Sequence, residues 1–347
     1  MKYRPLGHTG VMVSEYCLGA MMYGQMGNPD HDDCIRQIHA CLDAGINFID
    51  TADVYSLGES EEIVGKALKD RRENVVLATK FYAPMGEDVN QLGASRRWIM
   101  QEVENSLRRL NTDYIDLYQV HRFPEGVDIA ETLSAFTDLQ RQGKIRYAGS
   151  SEWPVDRIVE ARWVSEQQNL TPYRCEQAQY NLFTRRIERE VLPACARYGM
   201  GVILWSPLAG GWLTGRYRSS ADFTEESRLV RFSQRWGRMD PESALNQRKM
   251  ALVEDLAQIA DAAGVSLTHL AVAWTLEHPA VTSTIIGPRT HEQLDDLLAG
   301  ADIVLDEDTL EAIDALLPPG TNINPTDPSS EPAAMSKDQR RRASRAS

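Results

Sequence analysis

The sequence predicts an α/β fold, a (β/α)8 TIM barrel with an N-terminal β-hairpin and two extra helices. Eight short apolar runs alternate with segments of helical period along most of the chain, and this alternation is typical of parallel strands joined by crossover helices. The turn after the first strand reads Gly-Ala-Met-Met-Tyr-Gly, which lacks the glycine spacing of a Rossmann-type open sheet. A doubly wound open sheet is the alternative fold.

The elements follow one another in a regular order. Residues 2–6 and 11–14 turn through His-Thr-Gly and predict the hairpin. The eight strand-like runs lie at 16–20, 46–50, 75–79, 115–120, 145–149, 174–179, 201–205 and 283–286. The helical patterns lie at 32–43, 59–69, 93–110, 128–142, 154–168, 184–198, 246–263 and 290–299, with an additional helix at 266–278. A repeat of strand and helix closes most simply into a barrel.

We predict one barrel domain over residues 1–317 and a mostly disordered tail over 318–347. Beyond Pro318 the composition shifts to Pro, Ser, Thr and Asn, which bury too little apolar surface to form a core. The tail ends in a basic Arg-Arg-Arg-Ala-Ser segment, for which a solvated terminus is a simpler interpretation than a docking site. The irregular stretch at 216–246 is long for a compact domain, and such loops are usually functional.

Composition and charge limit the classes of function. The 347 residues carry a net charge of −13, so we expect no broad basic face for nucleic acid. The chain contains no apolar run of about 18 residues, the length of a membrane helix, and no apolar N-terminal signal. We therefore expect a cytoplasmic protein without a membrane partner. The five cysteines form no Cys-x-x-Cys pair, so neither a metal site nor a disulfide is expected.

Four polar residues stand at or just beyond the ends of three consecutive predicted strands. Asp50, Lys80 and His121 end the second, third and fourth strands, and Tyr55 follows the second. Strand C-termini meet at the active-site face of a barrel, so we expect one shared pocket. A lysine ammonium would lower the pKa of the tyrosine from about 10, and the aspartate would keep the lysine charged. The histidine would donate a hydrogen bond to a substrate oxygen or pass a proton. This set fits proton transfer to a carbonyl oxygen while a hydride reaches its carbon, or the reverse.

Several longer stretches resemble the aldo-keto reductase family. INFIDTADVYSLGESEEIVGKAL (46–68) is similar to the family signature, VVLATK (75–80) supplies the lysine, and RRLNTDYIDLYQVH (108–121) ends in the histidine. The opening MKYRPLGHTGVMVSEYCLGA and the segments GKIRYAGSSEW (143–153), LWSPLAGGWLTGRY (204–217) and IIGPRTHEQL (285–294) match in the same order. The resemblance spans about residues 1–317, and it implies the same barrel fold.

The resemblance implies NADPH-dependent reduction of aldehydes or ketones, with Tyr55 as the general acid and NADPH/NADP+ extended over the barrel mouth. The positions matched to cofactor contacts are Ala20 and Met21 in the first loop, Asp50, Ser151, Glu152 and Gln177 at the nicotinamide, Trp205 stacked on its ring, Ser206, Pro207, Leu208 and Gly210 around the pyrophosphate, Arg216 and Arg228 as clamps, and Gly287, Arg289, Gln293 and Asp296 at the adenosine. Because a guanidinium grips phosphate in a bidentate fork, Arg289 is the expected reader of the 2′-phosphate.

Other functional hypotheses stay open at this point. Potassium-channel β subunits resemble the same branch of the family, and they predict a nucleotide-sensing regulatory subunit with little turnover. The position matching His121 is typically asparagine in those subunits, so the histidine favours an enzyme. A barrel hydrolase or isomerase that uses Lys80 as a Schiff-base nucleophile is the third hypothesis.

The expected substrate is a small carbonyl compound, and a homo-oligomer is compatible with the sequence. The predicted pocket walls are Met22, Tyr23, Tyr82, Phe123, Trp153 and the loop at 217–245.

Overall fold

The structure is a computed structural model that describes residues 1–224 and 240–324. The strands are β1 Tyr3–Pro5, β2 Met12–Ser14, β3 Tyr16–Gly19, β4 Phe48–Asp50, β5 Val76–Phe81, β6 Ile115–Val120, β7 Ile145–Ser151, β8 Tyr173–Gln179, β9 Gly201–Trp205 and β10 Ser283–Ile286. The α-helices are α1 His31–Asp43, α2 Glu59–Ala67, α3 Arg96–Leu110, α4 Ile129–Arg141, α5 Val155–Gln168, α6 Val191–Tyr198, α7 Ala244–Ala262, α8 Leu267–Glu277, α9 His291–Ala299 and α10 Glu307–Leu316.

Strands β3 to β10 form one closed parallel barrel. Each strand pairs with the next in chain order, and β10 pairs with both β9 and β3. The two short strands β1 and β2 form an antiparallel hairpin outside this sheet. A closed sheet leaves no unpaired edge, which distinguishes it from a doubly wound open sheet. The predicted TIM barrel with its N-terminal hairpin is confirmed, and the open sheet is excluded.

Alternate residues of the barrel strands point inward and form two layers. The lower layer is an apolar cluster made of Cys17, Phe48, Ala78, Leu117, Cys175 and Ile203, together with Leu6 and Val13 from the N-terminal segment. Strand side chains alternate between faces, so the residue two positions further along a strand also points inward. On β4, β5, β6, β8 and β9 these positions hold Asp50, Lys80, Gln119, Gln177 and Trp205. The barrel therefore carries its polar layer at the C-terminal ends of the strands.

Several helices begin directly after a capping residue. Asp30, Ser95, Asp128 and Thr290 each accept a hydrogen bond from a backbone N–H in the first turn of the helix that follows, as N-cap residues do. Helix α10, which the sequence pattern does not predict, begins at the cap Asp306 in the same way. Among the described residues, α7 and α8 both lie between β9 and β10, and α10 follows α9, which gives two α-helices beyond one for each barrel strand.

One predicted helix begins later than its pattern suggests. The pattern at 184–198 becomes α6 over Val191–Tyr198, preceded by a 3-10 turn at Arg186–Glu188. Pro193 explains the difference, because proline fits the first turn of a helix but not its interior. A helix that began at residue 184 would place this proline in its interior.

The residues after α10 run back to the loop between β8 and α6. Arg185 N–H donates to the carbonyl of Thr321, Arg186 N–H donates to Asn322 Oδ1, and Ile323 N–H donates to the carbonyl of Phe183. Residues that hydrogen-bond to the rest of the domain thus extend past the predicted boundary at residue 317 as far as residue 323. The predicted tail beyond residue 324 lies outside the described residues.

Within the described residues, no single helix is long and apolar enough to cross a membrane. Helices α7 and α8 meet the requirement of length and composition only as a pair, and their axes are bent by 86°. All five cysteines are buried and free.

Arg109 joins α2 and α3 through two buried carboxylates. Its Nε donates to Glu61 Oε2 at 2.6 Å and its Nη2 to Glu102 Oε1 at 2.5 Å. Asp53 is fully buried beside them, and burial together with the two glutamates raises its pKa well above the ordinary value. A Cβ at Gly58, where φ is 97°, would lie 2.6 Å from Arg109 Cδ. The arginine therefore also fixes the turn that precedes α2.

We expect Arg109→Met to lower the free energy of unfolding by about 3–5 kcal/mol, because it leaves two buried carboxylates without the cation that pairs with them. Urea unfolding at pH 7 measures the change. The control is Arg71→Met, which removes a pair with Asp43 whose side chains are 40% and 63% exposed and should cost less than about 1 kcal/mol. Equal losses in the two variants would contradict the role of Arg109.

Candidate active site at the barrel mouth

Lys80 and Asp50 form a buried ion pair at the C-terminal ends of β5 and β4. Lys80 Nζ donates to Asp50 Oδ2 at 2.5 Å and to the carbonyl of Thr51 at 2.8 Å. The two side chains are 0% and 3% exposed. Gln119 and Gln177 donate to the other carboxylate oxygen of Asp50 at 3.2 and 2.9 Å. Both charges are therefore paired and hydrogen-bonded, as buried ions require.

Tyr55 lies beside this ion pair, with its hydroxyl directed at the lysine. Lys80 Nζ is 3.3 Å from Tyr55 Oη and 4.9 Å from the ring centre. Burial raises the pKa of Tyr55 above the ordinary value, and the charge of Lys80 opposes this rise without cancelling it. The predicted lowering by the lysine is present but smaller than the effect of burial. The phenol therefore keeps its proton at neutral pH, where it can serve as an acid.

His121 completes the group as a neutral imidazole. Its ring meets the ring of Tyr55 edge to face, with centroids 5.8 Å apart. Burial lowers the pKa of His121 well below its ordinary value, and the positive charges of Lys80 and Arg122 lower it further. A neutral imidazole can still donate one N–H hydrogen bond, but it carries no extra proton. The neutral state fits the predicted hydrogen bond to a substrate oxygen, and the predicted role in passing a proton stays a prediction.

The protonation of Lys80 argues against the Schiff-base hypothesis. Burial alone lowers the pKa of this lysine, but Asp50 and Tyr55 outweigh burial and the net pKa is raised. A Schiff base forms from a free amine, whereas this ammonium is charged and donates to three oxygens. The hypothesis of a hydrolase or isomerase therefore lacks the free amine that would act as its nucleophile.

The positions predicted to bind a cofactor lie around the same mouth. Ser151, Gln177 and Trp205 stand at the ends of β7, β8 and β9, and Ala20 and Met21 follow β3. Gln179 pairs in register with Trp205 and is partly exposed, but its Oε1 atom is buried and has no hydrogen-bond partner among the described residues. Buried amide oxygens are normally hydrogen-bonded, so this acceptor fits a ligand that brings an N–H group, such as a carboxamide.

The loop after β9 is a tight turn built from left-handed residues. Ser206, Ala209 and Gly210 have φ angles of 60°, 48° and 70°. Ser206 Oγ accepts from the N–H of Gly210, and the turn passes through Pro207 and Leu208. Arg216 is exposed beyond it. Arg228, the other predicted clamp, lies outside the described residues.

The predicted adenosine positions lie between β10 and the first turns of α9. Gly287 and Arg289 are exposed, and a Cβ at Gly287 would meet nothing within 4 Å. Gln293 Oε1 accepts from the Arg289 N–H at 2.8 Å, and the side chain of Asp296 is 56% exposed. The arginine side chain therefore stands free at the start of a helix, a place that favours anions.

Glu152 follows β7 with a left-handed φ of 57° and turns its carboxylate toward β8 and β9. Its Oε1 accepts from the backbone N–H of Gln179 at 2.7 Å and from Trp205 Nε1 at 2.9 Å. Its Oε2 lies 3.8 Å from Arg186, and the glutamate side chain is 4% exposed. The predicted direct contact of Glu152 with a nicotinamide stays a prediction, whereas its contact with the indole is part of the structure.

A second carboxyl group lies behind the first. Glu176 is fully buried in β8, where it accepts from Ser150 Oγ at 2.5 Å and from the Trp153 N–H at 3.1 Å. Burial raises the pKa of Glu176 to about 8, and the negative charge of Glu152 contributes in the same direction. Burial therefore favours the protonated form of Glu176 at neutral pH.

Sequence reasoning missed five contributors to the site, one of which is Gln179 on β8. Gln119 could have been found, because it lies two residues before His121 on the same inward face of β6. Thr51 contributes its backbone carbonyl, Glu176 a buried carboxyl group, and Arg186 a side chain from a loop. None of these three contributions has a recognisable sequence pattern. Among the predicted pocket walls, Tyr82 and Phe123 are partly exposed, whereas Met22, Tyr23 and Trp153 are buried.

The model of the aldo/keto reductase family matches residues 15–318. The chain is 36% identical over 329 residues to an uncharacterized oxidoreductase, YrpG, of Bacillus subtilis, covering 92% of this chain and 96% of that protein. It is 35% identical to a probable voltage-gated potassium channel subunit beta of Oryza sativa, covering 91% and 97%. A putative subunit of the same description in Schizosaccharomyces pombe is also 35% identical, covering 91% and 93%.

We expect Glu176→Gln to stabilise the protein increasingly as pH rises. The unfolded glutamate, with an ordinary pKa of 4.5, releases its proton well below the folded pKa of about 8. Folding must therefore retain a proton, and stability falls as pH rises between these values. The neutral, isosteric glutamine avoids this cost, so its advantage should grow by about 1.4 kcal/mol per pH unit between pH 5.5 and 7.5.

Denaturant unfolding at both pH values measures this difference. Glu166→Gln removes the same charge from a side chain that is 57% exposed, and it serves as the control. An advantage of Glu176→Gln that does not change with pH would refute the buried, protonated state.

Proposed function

Because the chain belongs to the aldo/keto reductase family, we propose that it is an NADPH-dependent oxidoreductase that reduces aldehydes or ketones to alcohols by reversible hydride transfer. The observation that carries this proposal is the arrangement of a protonated phenol, a buried ammonium and a neutral imidazole at one end of the barrel. We expect the protein to be cytoplasmic and to act on a small-molecule carbonyl substrate.

Each member of the group has a distinct task in this reaction. His121 donates its N–H to the carbonyl oxygen and so orients the substrate. Tyr55 gives its proton to the same oxygen as negative charge develops there. Lys80, 3.3 Å from the phenol oxygen, stabilises the phenolate that remains. Asp50 holds the ammonium in place, and the phenol regains its proton from solvent.

The reduced nicotinamide, when bound, supplies the hydride to the carbonyl carbon. Ser151, Gln177 and the unpaired oxygen of Gln179 would hold its carboxamide end, and the indole of Trp205 would support the ring. The turn at 206–210 and the start of α9 would receive the phosphates, since backbone N–H groups at a helix start favour anions. The exposed guanidinium of Arg289 supports a preference for the 2′-phosphorylated cofactor.

A nucleotide-sensing regulatory subunit is the second candidate function. The relatives in Oryza sativa and Schizosaccharomyces pombe, described as potassium-channel subunits, favour it. The complete group of Asp50, Tyr55, Lys80 and His121 supports an enzyme instead. Measured turnover on a panel of aldehydes, ketones, quinones and sugars would separate the two.

Tyr55→Phe should reduce kcat at least about 100-fold, the lower range for loss of a general acid. NADPH affinity should stay nearly unchanged, since the phenol hydroxyl contacts Lys80 rather than the predicted cofactor positions. NADPH consumption and fluorescence titration measure the two quantities. Activity close to that of the unmodified protein would remove Tyr55 from the mechanism.

Arg289→Ala should weaken the binding of NADPH at least about tenfold more than that of NADH, because only NADPH carries the 2′-phosphate that a guanidinium can grip. Titration of both nucleotides gives the two dissociation constants. Arg162→Ala, on the outer helix α5, is the control and should leave both unchanged. Equal losses for the two nucleotides in Arg289→Ala would show that another group reads the phosphate.

A further inference from the structure

We infer that Glu152 is a positioning residue that strengthens the binding of the oxidised, positively charged nicotinamide relative to the reduced one. The inference rests on the proposed function, because it concerns the cofactor assigned to this mouth. It does not concern the catalytic group, from which Glu152 is separate. Glu152 is a buried carboxylate that accepts the indole N–H of Trp205 at the end of β9.

The carboxylate fixes the orientation of this indole. Trp205 Nε1 donates to Glu152 Oε1 at 2.9 Å, and the same oxygen accepts the backbone N–H of Gln179 at 2.7 Å. The glutamate backbone is left-handed, with φ at 57°, a costly conformation for a residue other than glycine. The left-handed backbone accompanies a side chain that reaches across β8 to the indole at the end of β9, so the N–H edge of the ring is held.

The carboxylate is also the charged member of its surroundings. Glu176, the neighbouring carboxyl group, takes up the proton at neutral pH because it is fully buried. Arg186 Nη2 lies 3.8 Å from Glu152 Oε2, beyond hydrogen-bond distance, and its side chain is 43% exposed. Solvent screens this arginine, so it offsets the negative charge only in part.

A negative charge behind an indole changes what its face attracts. A hydrogen bond from the indole N–H to a carboxylate is charge-assisted and polarises the ring. The ring face then attracts a cation more strongly, and the carboxylate itself attracts positive charge at the mouth. Oxidised nicotinamide is a cationic ring and reduced nicotinamide is a neutral one. Glu152 therefore favours NADP+ over NADPH through its charge.

This bias has a thermodynamic consequence for the bound pair. Tighter binding of the oxidised form lowers the reduction potential of the bound cofactor, which is then a stronger reductant than it would be without the charge of Glu152. For a two-electron couple, a tenfold change in the ratio of the two affinities corresponds to about 30 mV. Glu152 thus tunes the driving force of the hydride transfer while leaving the proton transfer to Tyr55.

The test compares the dissociation constants of NADP+ and NADPH in the full chain, measured by calorimetry without substrate. In Glu152→Gln the amide oxygen can still accept from Trp205 and Gln179, so the charge is removed while the geometry is kept. The ratio of the constant for NADP+ to that for NADPH should rise roughly three- to tenfold. Arg186→Gln removes the partial counter-charge and should shift the same ratio in the opposite direction. Glu166→Gln is the charge-matched control on α5 and should leave the ratio unchanged.

Three other outcomes overturn the inference in distinguishable ways. If Glu152→Gln weakens both nucleotides equally, the residue has only a structural role. If Glu152→Gln leaves both dissociation constants unchanged, the carboxylate has no influence on the ring, and the proposed function still stands. If the unmodified protein binds neither nucleotide, the proposed function fails together with the inference.

Discussion

The buried pair of Lys80 and Asp50 is the interaction on which the barrel mouth depends. A lysine that is fully shielded from water would lose its proton without a partner, and the adjoining carboxylate prevents this. The retained charge then acts on two neighbours. It opposes the effect of burial on Tyr55, and it adds to the effect of burial that keeps His121 neutral. Burial remains the larger effect on both candidate residues, and one ion pair across two adjacent strands modifies it at each of them.

The fold and the meeting of the four catalytic candidates were predictable from the sequence for geometric reasons. Parallel strands in a barrel end on the same face, so residues that follow different strands converge whatever their distance along the chain. Because side chains alternate between inward and outward, the next inward residue lies two positions beyond each residue of the apolar layer. These next residues form the polar layer. The same rule would have added Gln119 to the group. The position of Pro193 would likewise have moved the start of α6.

Other parts of the site depend on quantities that a sequence does not contain. The rise in the pKa of Tyr55 is a sum over every atom that shields the phenol from water, and only a folded structure supplies it. The direction taken by the carboxylate of Glu152 depends on a left-handed backbone and on donors from two other strands. The approach of Arg186 depends on hydrogen bonds to residues near the C-terminus. Each of these is a long-range arrangement rather than a local pattern.

The segment after α10 also imposes an order on the making of the molecule. The loop that carries Arg186 hydrogen-bonds to Asn322, a residue 136 positions further along the chain. During synthesis the N-terminal strands leave the ribosome first, so Lys80 and Tyr55 emerge long before the residues that hydrogen-bond to this loop. Strand β10, which closes the barrel against β3, also comes late. The nascent protein therefore contains Lys80 and Tyr55 before the barrel mouth is complete. Strand β10 and residues 321–323 complete the site.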